Sequence, residues 1–264
     1  MSMLASVLDK CAGEDRAALI GYLPVGYPDV PTSIEGMRAM VAGGCDVIEV
    51  GVPYSDPGMD GPTIQAAVDP AVRAGVRMSD ALAAVAAVAD AGAAAVVMSY
   101  WNPIVKYGVS RFAAGLAAAG GAGAITPDLI PDEAGEWLAA ADRHGLDRVF
   151  LVAPSSSDDR IVSTTAACRG FVYAASTMGV TGTRSAVSDT ATTLVGRVRA
   201  LAPSIGVCVG LGVSNAEQAA EVAAFADGVI VGSAFVRRML DSPDAGGARA
   251  AGELATELAR GVHR

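Results

Sequence analysis

The sequence predicts an α/β protein, a (β/α)8 TIM barrel with an extra N-terminal helix. Short apolar, β-branched runs alternate with alanine-rich segments of helical length, which is typical of βαβ units around a parallel sheet. There are eight such runs, each followed by a helix candidate, and a chain of 264 residues suits one barrel. An open doubly wound sheet is the alternative, but the first strand is not followed by the G-x-G-x-x-G turn of such a fold.

No linker or composition break interrupts the eight predicted strands, so we expect a single domain over residues 1–264. The strands cover residues 19–23, 46–51, 95–99, 122–126, 148–152, 170–174, 206–210 and 227–231. Residues 2–11 predict the extra helix, which is expected to plug the bottom of the barrel. Pro70 lies inside the segment 63–75, which otherwise predicts a helix. A proline at that position is expected to kink or split the helix, because it removes a hydrogen bond.

The composition indicates a cytoplasmic protein that binds neither nucleic acid nor membranes. The net charge of -9 repels phosphodiester backbones and anionic lipid surfaces. The longest apolar runs, residues 81–89 and 93–98, fall far short of the roughly 20 residues that a membrane span needs. The first residues lack the basic region of a secretory signal. The four cysteines show no C-x-x-C spacing and are interpreted as small buried apolar residues.

Histidine and lysine are both scarce, and this narrows the possible chemistry. The only histidines are His144 and His263, so we predict neither a histidine metal site nor a histidine-based triad. The only lysines are Lys10, near the N-terminus, and Lys106, in a stretch between a loop and a helix. A buried lysine that forms an imine with substrate is therefore disfavoured.

The first candidate for chemistry is a glutamate inside an apolar strand, at the start of the stretch VIEVGVPYSDPGMDGPTIQ (residues 47–65). A buried carboxylate costs several kcal/mol unless it is paired, hydrogen-bonded or neutralised. Alternation along the strand places Val47, Glu49 and Gly51 on one face. If that face points into the barrel, desolvation raises the pKa of Glu49 and equips it to exchange protons. The alternative is a structural ion pair with an arginine.

The second candidate is Asp60, which lies in a loop between Gly58 and Gly61. The flanking glycines would let this carboxylate move as the loop closes over a substrate. The alternative is that Asp60 is a turn residue or caps the helix that begins at Pro62.

Glycine-containing turns follow the last three predicted strands, at residues 179–182, at residues 210–212 and at Gly232-Ser233. Each turn alone is explained by a tight connection between a strand and a helix. Together they favour a phosphate site, because backbone N–H groups on adjacent strands could approach one anion. Tyr22, Tyr100, Asn102 and Tyr173 also lie at strand ends, where they would line a substrate pocket or pack at the rim of the barrel.

These motifs together resemble the tryptophan synthase alpha chain family. The resemblance lies in E-x-G-x-P-x-S-D-P-x-x-D-G-P-x-I-Q at residues 49–65, G-V-T-G at 179–182, G-x-G at 210–212 and G-S at 232–233, in this order over the whole chain. The resemblance implies a (β/α)8 barrel that cleaves indole-3-glycerol phosphate into indole and glyceraldehyde 3-phosphate. It also implies an alpha2-beta2 heterotetramer with a beta chain that holds pyridoxal phosphate, while this chain itself has no cofactor.

The resemblance assigns roles to individual residues. Glu49 would protonate indole C3 and accept the proton of the glycerol hydroxyl, and Asp60 would interact with the indole N–H. The implied substrate-binding residues are Tyr22, Tyr100, Tyr173 and Thr181, and the implied phosphate-binding residues are Gly182, Gly212, Gly232 and Ser233. Departures from the family pattern are Leu211, Thr177-Met178 and Asp128-Leu129-Ile130-Pro131.

Three other functions remain open from the sequence. Another phosphate-binding barrel, such as an indole-glycerol-phosphate synthase or a sugar-phosphate epimerase, is the nearest rival, but the synthase would need a catalytic lysine at a strand end. A freestanding indole-3-glycerol-phosphate lyase would act without a beta chain. A non-catalytic subunit would only activate a beta chain, but it would need neither the two acids nor the glycine turns.

Overall fold

The computed structural model describes residues 2–175, 184–243 and 245–263. Within these ranges the strands form one parallel sheet, in the order β5-β4-β3-β2-β1-β9-β8-β7-β6. The strands are β1 (Ala18–Pro24), β2 (Val47–Gly51), β3 (Ala94–Met98), β4 (Gly123–Ile125), β5 (Asp147–Val149), β6 (Leu151–Val152), β7 (Phe171–Ala175), β8 (Gly206–Gly210) and β9 (Gly228–Val231). All eight predicted strands are present, and no end differs from its predicted position by more than one residue.

The sheet closes into a barrel through the fifth predicted strand. This strand is split at Phe150 into β5, which pairs with β4, and β6, which pairs with β7. Its two halves are consecutive in the chain, so the two edges of the sheet meet at a single residue. The backbone N–H of Tyr173 donates to the carbonyl oxygen of Phe150 at 3.1 Å, which fastens the junction. The barrel prediction is confirmed.

The described ranges contain twelve α-helices, and all except the first surround the sheet on its outer face. They are α1 (Met3–Gly13), α2 (Val30–Ala42), α3 (Pro62–Arg73), α4 (Met78–Asp90), α5 (Trp101–Tyr107), α6 (Val109–Ala118), α7 (Gly135–His144), α8 (Asp158–Ala167), α9 (Arg184–Leu201), α10 (Ala216–Ala223), α11 (Ser233–Asp241) and α12 (Ala245–Gly261). None of the helices in the described ranges is long and apolar enough to span a membrane.

Two apolar clusters hold these layers together. The larger one lies between the sheet and the surrounding helices and includes Trp137, Phe112 and Phe235. The smaller one fills the barrel, where alternate residues of the strands pack against Leu4 and Leu8 of α1. Helix α1 therefore plugs the barrel from below, as the sequence predicts. Removing these side chains from water is the main stabilising contribution to the fold.

The proline inside α3 does not split the helix, so this part of the prediction is wrong. Helix α3 continues through Pro70 to Arg73, and the carbonyl oxygen of Pro70 accepts the N–H of Ala74 at 2.9 Å. The carbonyl group that loses its partner belongs to Ala66, one turn earlier. Because Ala66 is exposed, water can satisfy that group, and the helix tolerates the proline.

Candidate active site

Glu49 lies in the middle of β2 and faces the barrel interior. It pairs in register with Tyr22 of β1 on one side and with Val96 of β3 on the other. Burial raises the pKa of Tyr173 on β7, and the Glu49 carboxylate raises it further. Strand β7 is four places from β2 in the sheet, with β1, β9 and β8 between them, so this field acts across the barrel. The predicted face of β2 is confirmed.

Glu49 is buried, and one oxygen of its carboxyl group lacks a hydrogen-bond partner. The residue is 1% exposed, and no described residue donates a hydrogen bond to its Oε1 atom. Among the described residues, no arginine or lysine forms an ion pair with Glu49, so the alternative of a structural ion pair is not supported. Desolvation raises the pKa of Glu49 to about 8, because the charged form has lost water and gained no donor at Oε1. The group is therefore mostly protonated at neutral pH and can give up a proton.

Asp60 is held by a tyrosine from the neighbouring loop. The hydroxyl group of Tyr100 donates to Asp60 Oδ1 at 3.0 Å. Partial burial raises the pKa of Asp60 above its usual value, and the hydrogen bond from Tyr100 opposes this rise. The N-cap of α3 is Gly61, with no side-chain capping bond, so the alternative of Asp60 as the cap is wrong. The carboxylate points instead toward the strand ends.

Tyrosines at the strand ends surround the two acids. Burial raises the pKa of Tyr22 well above its usual value, and the carboxylates of Asp60 and Glu49 raise it further. The Tyr22 hydroxyl lies over Gly51, where a Cβ atom would come within 2.5 Å of it. The Tyr173 hydroxyl lies over Gly210 in the same way, at 2.4 Å. Glycine at these two positions therefore makes room for a tyrosine on the adjacent strand.

The structure describes only part of the predicted phosphate site. Gly212 has a φ of +64°, which favours glycine, and the space where its Cβ would lie is open. Gly232 is the N-cap of α11, and because glycine has no side chain, no side-chain hydrogen bond caps this helix. Ser233 is the first residue of that helix, so free N–H groups face the top of the barrel there. The predicted residues Thr181 and Gly182 lie outside the described residues.

One contact at this end of the barrel was missed from the sequence. The ring of Tyr54 packs against Tyr100 with the centroids 5.4 Å apart, and its hydroxyl accepts a hydrogen bond from Asn102 at 2.9 Å. Tyr54 lies within the same motif as both acids, five residues after Glu49. The sequence feature that could have indicated its role is an aromatic residue next to a proline in a glycine-rich loop.

The described residues contain no group of three or more His, Cys, Asp or Glu side chains placed to hold a metal ion.

This arrangement defines a TIM-barrel protein whose polar site lies at the carboxyl ends of the strands. The chain belongs to the tryptophan synthase alpha chain family, because the sequence model of that family matches residues 8–260. The tryptophan synthase alpha chain of Mycolicibacterium paratuberculosis is 62% identical over 263 residues, which cover 100% of this chain and 95% of that protein. That of Thermobifida fusca is 62% identical over 265 residues, which cover 99% and 98%.

Solved structures agree with this assignment. The structure of Mycobacterium tuberculosis tryptophan synthase contains a chain that is 59% identical, with a TM-score of 0.93 over 100% of this chain and 99% of that one. The tryptophan synthase subunit alpha of Legionella pneumophila is 28% identical and still has a TM-score of 0.89, over 99% and 98%. The chain is therefore a subunit of an enzyme of tryptophan biosynthesis.

Proposed function

We propose that this chain is a cytoplasmic lyase that cleaves indole-3-glycerol phosphate into indole and glyceraldehyde 3-phosphate, with Glu49 as its proton carrier. The observation that carries the proposal is the burial of the Glu49 carboxyl group, whose Oε1 atom has no hydrogen-bond partner and whose pKa is raised to about 8. An acid with such a pKa is suited to give and take a proton at neutral pH.

The cleavage is a retro-aldol reaction, which needs an acceptor for the electron pair of the breaking C–C bond. Indole supplies this acceptor itself. Protonation of C3 by Glu49 gives an indolenine-like tautomer with a C=N bond, and the ionised Glu49 then takes the proton of the adjacent glycerol hydroxyl. As the C–C bond breaks, its electrons neutralise the iminium nitrogen and the hydroxyl carbon becomes the aldehyde. Glu49 ends the cycle protonated, as it began.

Asp60 acts on the other side of the indole ring in this proposal. Its ionised carboxylate accepts a hydrogen bond from the indole N–H and stabilises the positive charge that develops on the nitrogen. The hydrogen bond from Tyr100 favours the ionised form of Asp60, since it opposes the effect of burial. Tyr22 and Tyr173 line the space between the acids, and Thr181 would join them when substrate is bound.

The phosphate group is assigned to the glycine turns. Backbone N–H groups at Gly182, Gly212, Gly232 and Ser233 would hold it, with the N-terminus of α11 adding a favourable dipole. Binding the non-reacting end of the substrate in this way would place the indole C3 atom at Glu49.

A tryptophan synthase beta chain is the proposed partner, in an alpha2-beta2 heterotetramer, with pyridoxal phosphate bound to the beta chain. Met59, Val105 and Ile130 are large apolar side chains with 42–50% of their surface exposed. They lie in the segments that follow β2, β3 and β4, which are neighbours in the sheet, so they share one end of the barrel. Exposed apolar side chains grouped in this way are typical of an interaction surface.

Indole release from indole-3-glycerol phosphate tests the proposal directly. The purified chain should release indole at a measurable rate, and a cognate beta chain should associate with it on size exclusion and raise that rate. Release with no association and no change in rate would favour the freestanding lyase. If no indole appears with or without the beta chain while the two still associate, the chain is a non-catalytic subunit and the proposal fails.

A further inference from the structure

A line of contacts leads from the surface to Asp60. Asn102, which is exposed, donates from Nδ2 to the hydroxyl oxygen of Tyr54 at 2.9 Å. The rings of Tyr54 and Tyr100 pack at an interplanar angle of 37°. Tyr100 is buried and donates its hydroxyl proton to Asp60 Oδ1 at 3.0 Å. We call these four residues the tyrosine relay.

The direction of the last hydrogen bond is fixed by the backbone. The N–H of Met59 donates to the Tyr100 hydroxyl oxygen at 2.9 Å. A tyrosine hydroxyl has one proton, and since its oxygen already accepts from Met59, that proton is directed at Asp60. Burial raises the pKa of Tyr100 to about 12, so this proton stays in place at neutral pH.

Tyr54 joins the two segments that carry the other members of the relay. It belongs to the segment between β2 and α3, which also carries Asp60, while Tyr100 and Asn102 lie at the start of α5. Its ring contacts Tyr100 and its hydroxyl contacts Asn102, two residues further on. The start of α5 is also fixed from the other side, because the N–H of Trp101 donates to Asp128 Oδ1 at 2.8 Å.

We propose that Tyr54 is a positioning residue, which holds the Tyr100 hydroxyl on Asp60 and connects Asp60 to the exposed residue Asn102. This role rests on the proposed function, in which ionised Asp60 stabilises the charge on the indole nitrogen. Tyr54 itself touches neither acid. Its effect on the reaction passes through the position of the Tyr100 ring.

The relay predicts how the reaction depends on pH. Among the described residues, the titratable groups that face Asp60 are Tyr22 on β1 and Tyr100 at the start of α5, and Glu49 on β2 faces Tyr22 as well. Of these, Tyr100 lowers the pKa of Asp60 through its hydrogen bond. Loss of that bond raises the pKa, so a higher pH is needed to ionise Asp60. The acidic limb of the rate profile then moves to higher pH.

Three variants of the full chain test the proposal by kinetics. In Tyr54→Ala, which loses both contacts, kcat should fall roughly 10-fold with little change in KM, since misplacement of a catalytic group affects the transition state. The acidic limb of its rate profile should move to higher pH. Tyr54→Phe keeps the ring against Tyr100 and should recover most of kcat. Tyr107→Ala is the control, because Tyr107 is a tyrosine at the other end of α5 that packs on Arg111 and lies outside the relay.

A double-mutant cycle separates positioning from general loss of structure. Tyr100→Phe removes the hydroxyl group through which Tyr54 acts. If the proposal is correct, adding Tyr54→Ala to Tyr100→Phe lowers kcat by less than about 2-fold further. If the two substitutions lower kcat independently, so that their fold-changes multiply in the double variant, the proposal is overturned. It is also overturned if Tyr54→Ala has the same kcat and pH profile as the parent.

A second measurement does not depend on the reaction. The Asp60 carboxyl group can be titrated by 13C NMR in the parent, Tyr100→Phe and Tyr54→Ala chains. Its midpoint should rise in both variants, most in Tyr100→Phe, and stay at the parent value in Tyr107→Ala. An unchanged midpoint in Tyr54→Ala contradicts the relay even if the parent is active. If the parent releases no indole but the Asp60 midpoint is higher in Tyr54→Ala than in the parent, the relay is supported and only the proposed function is contradicted.

Discussion

The buried and half-buried acids at the two ends of the barrel differ in their hydrogen-bond and ion-pair partners. At the bottom, Asp46, Asp147 and Asp227 each lie near the start of a strand and accept a backbone N–H, from Leu19, Leu4 and Val207 respectively. Each also pairs with an arginine. At the top, no described residue donates to Glu49 Oε1, and Tyr100 is the only side-chain donor to the Asp60 carboxylate among the described residues.

Glu49 and Asp147 make this difference sharpest, because both are almost completely buried. Asp147 Oδ2 accepts from Ser2 Oγ and from the N–H of Leu4, both at 2.9 Å, and Arg169 Nε lies 3.2 Å from Oδ1 as an ion pair without hydrogen-bond geometry. These donors replace the lost water and fasten the plug helix α1. Burial alone therefore does not distinguish a structural acid from a reactive one, but the partners of the acid do.

The largest effect is expected for Glu49→Gln. This substitution keeps the volume of the side chain but removes the proton that the proposed reaction transfers twice. General acid–base groups typically contribute about 10²- to 10⁴-fold, so indole release should fall by at least the upper part of this range. Steady-state indole release by the folded variant measures the effect. A rate close to that of the parent would place Glu49 among the structural acids.

The same variant should be more stable than the parent at alkaline pH. The pKa of Glu49 is about 8 in the folded chain against a usual value of 4.5, so between these values the folded state binds more protons than the unfolded state. The parent therefore loses stability as the pH rises through this window, while glutamine does not titrate. Thermal melts should show a gain in Tm for Glu49→Gln that is larger at pH 8.5 than at pH 4.5. A gain independent of pH would show that the glutamate is not neutral in the folded chain.

Asp147→Asn should have the opposite profile, with a loss of stability and little change in the rate per folded molecule. Losing a charged acceptor in a buried cluster costs about 3 kcal/mol. Asp132→Asn is the control, because Asp132 pairs with Arg160 on the surface and its side chain is 66% exposed. That pair should contribute little to stability, because water screens it. Chemical denaturation of both variants checks this, and equal losses would mean that the partners of Asp147 add nothing.

Gly51→Ala should have a smaller effect, confined to the top of the barrel. The added Cβ would lie 2.5 Å from the Tyr22 hydroxyl, and Tyr22 has little free space because it is buried. Displacing the ring should lower kcat/KM about 10-fold, equivalent to about 1.4 kcal/mol. Gly196→Ala is the control, since no atom lies within 4 Å of the added group. Equal kinetics in the two variants would show that the position of Tyr22 does not matter.

Much of the fold could be predicted because the strands are short buried runs whose alternation is visible in the sequence. The same alternation predicts that Glu49 shares a face of β2 with Val47, and the structure shows that this face points into the barrel. The break at Phe150 could not be predicted, since it depends on where the two edges of the sheet meet and not on a local turn residue. The continuation of α3 through Pro70 depends on the exposure of Ala66, which is known only after packing.

The polar partners were harder to predict than the strands. The sequence predicts a strand that begins just after Asp147 but no role for this acid, because its hydrogen-bond donors lie more than 140 residues away at the N-terminus. Tyr54 was missed for a similar reason, since its contacts with Tyr100 and Asn102 join two separate loops. Both contacts are long-range, and no sequence spacing encodes them.

Titration of the Glu49 carboxyl group by 13C NMR tests the central contrast most directly. The spectrum of Glu49→Gln identifies the resonance, because one glutamate signal disappears. If Glu49 is buried without a compensating partner, its signal should titrate with a midpoint near pH 8, in the direction and range given by its desolvation. A midpoint near the usual value of 4.5 would contradict the account, because it would show that the carboxylate has a partner after all.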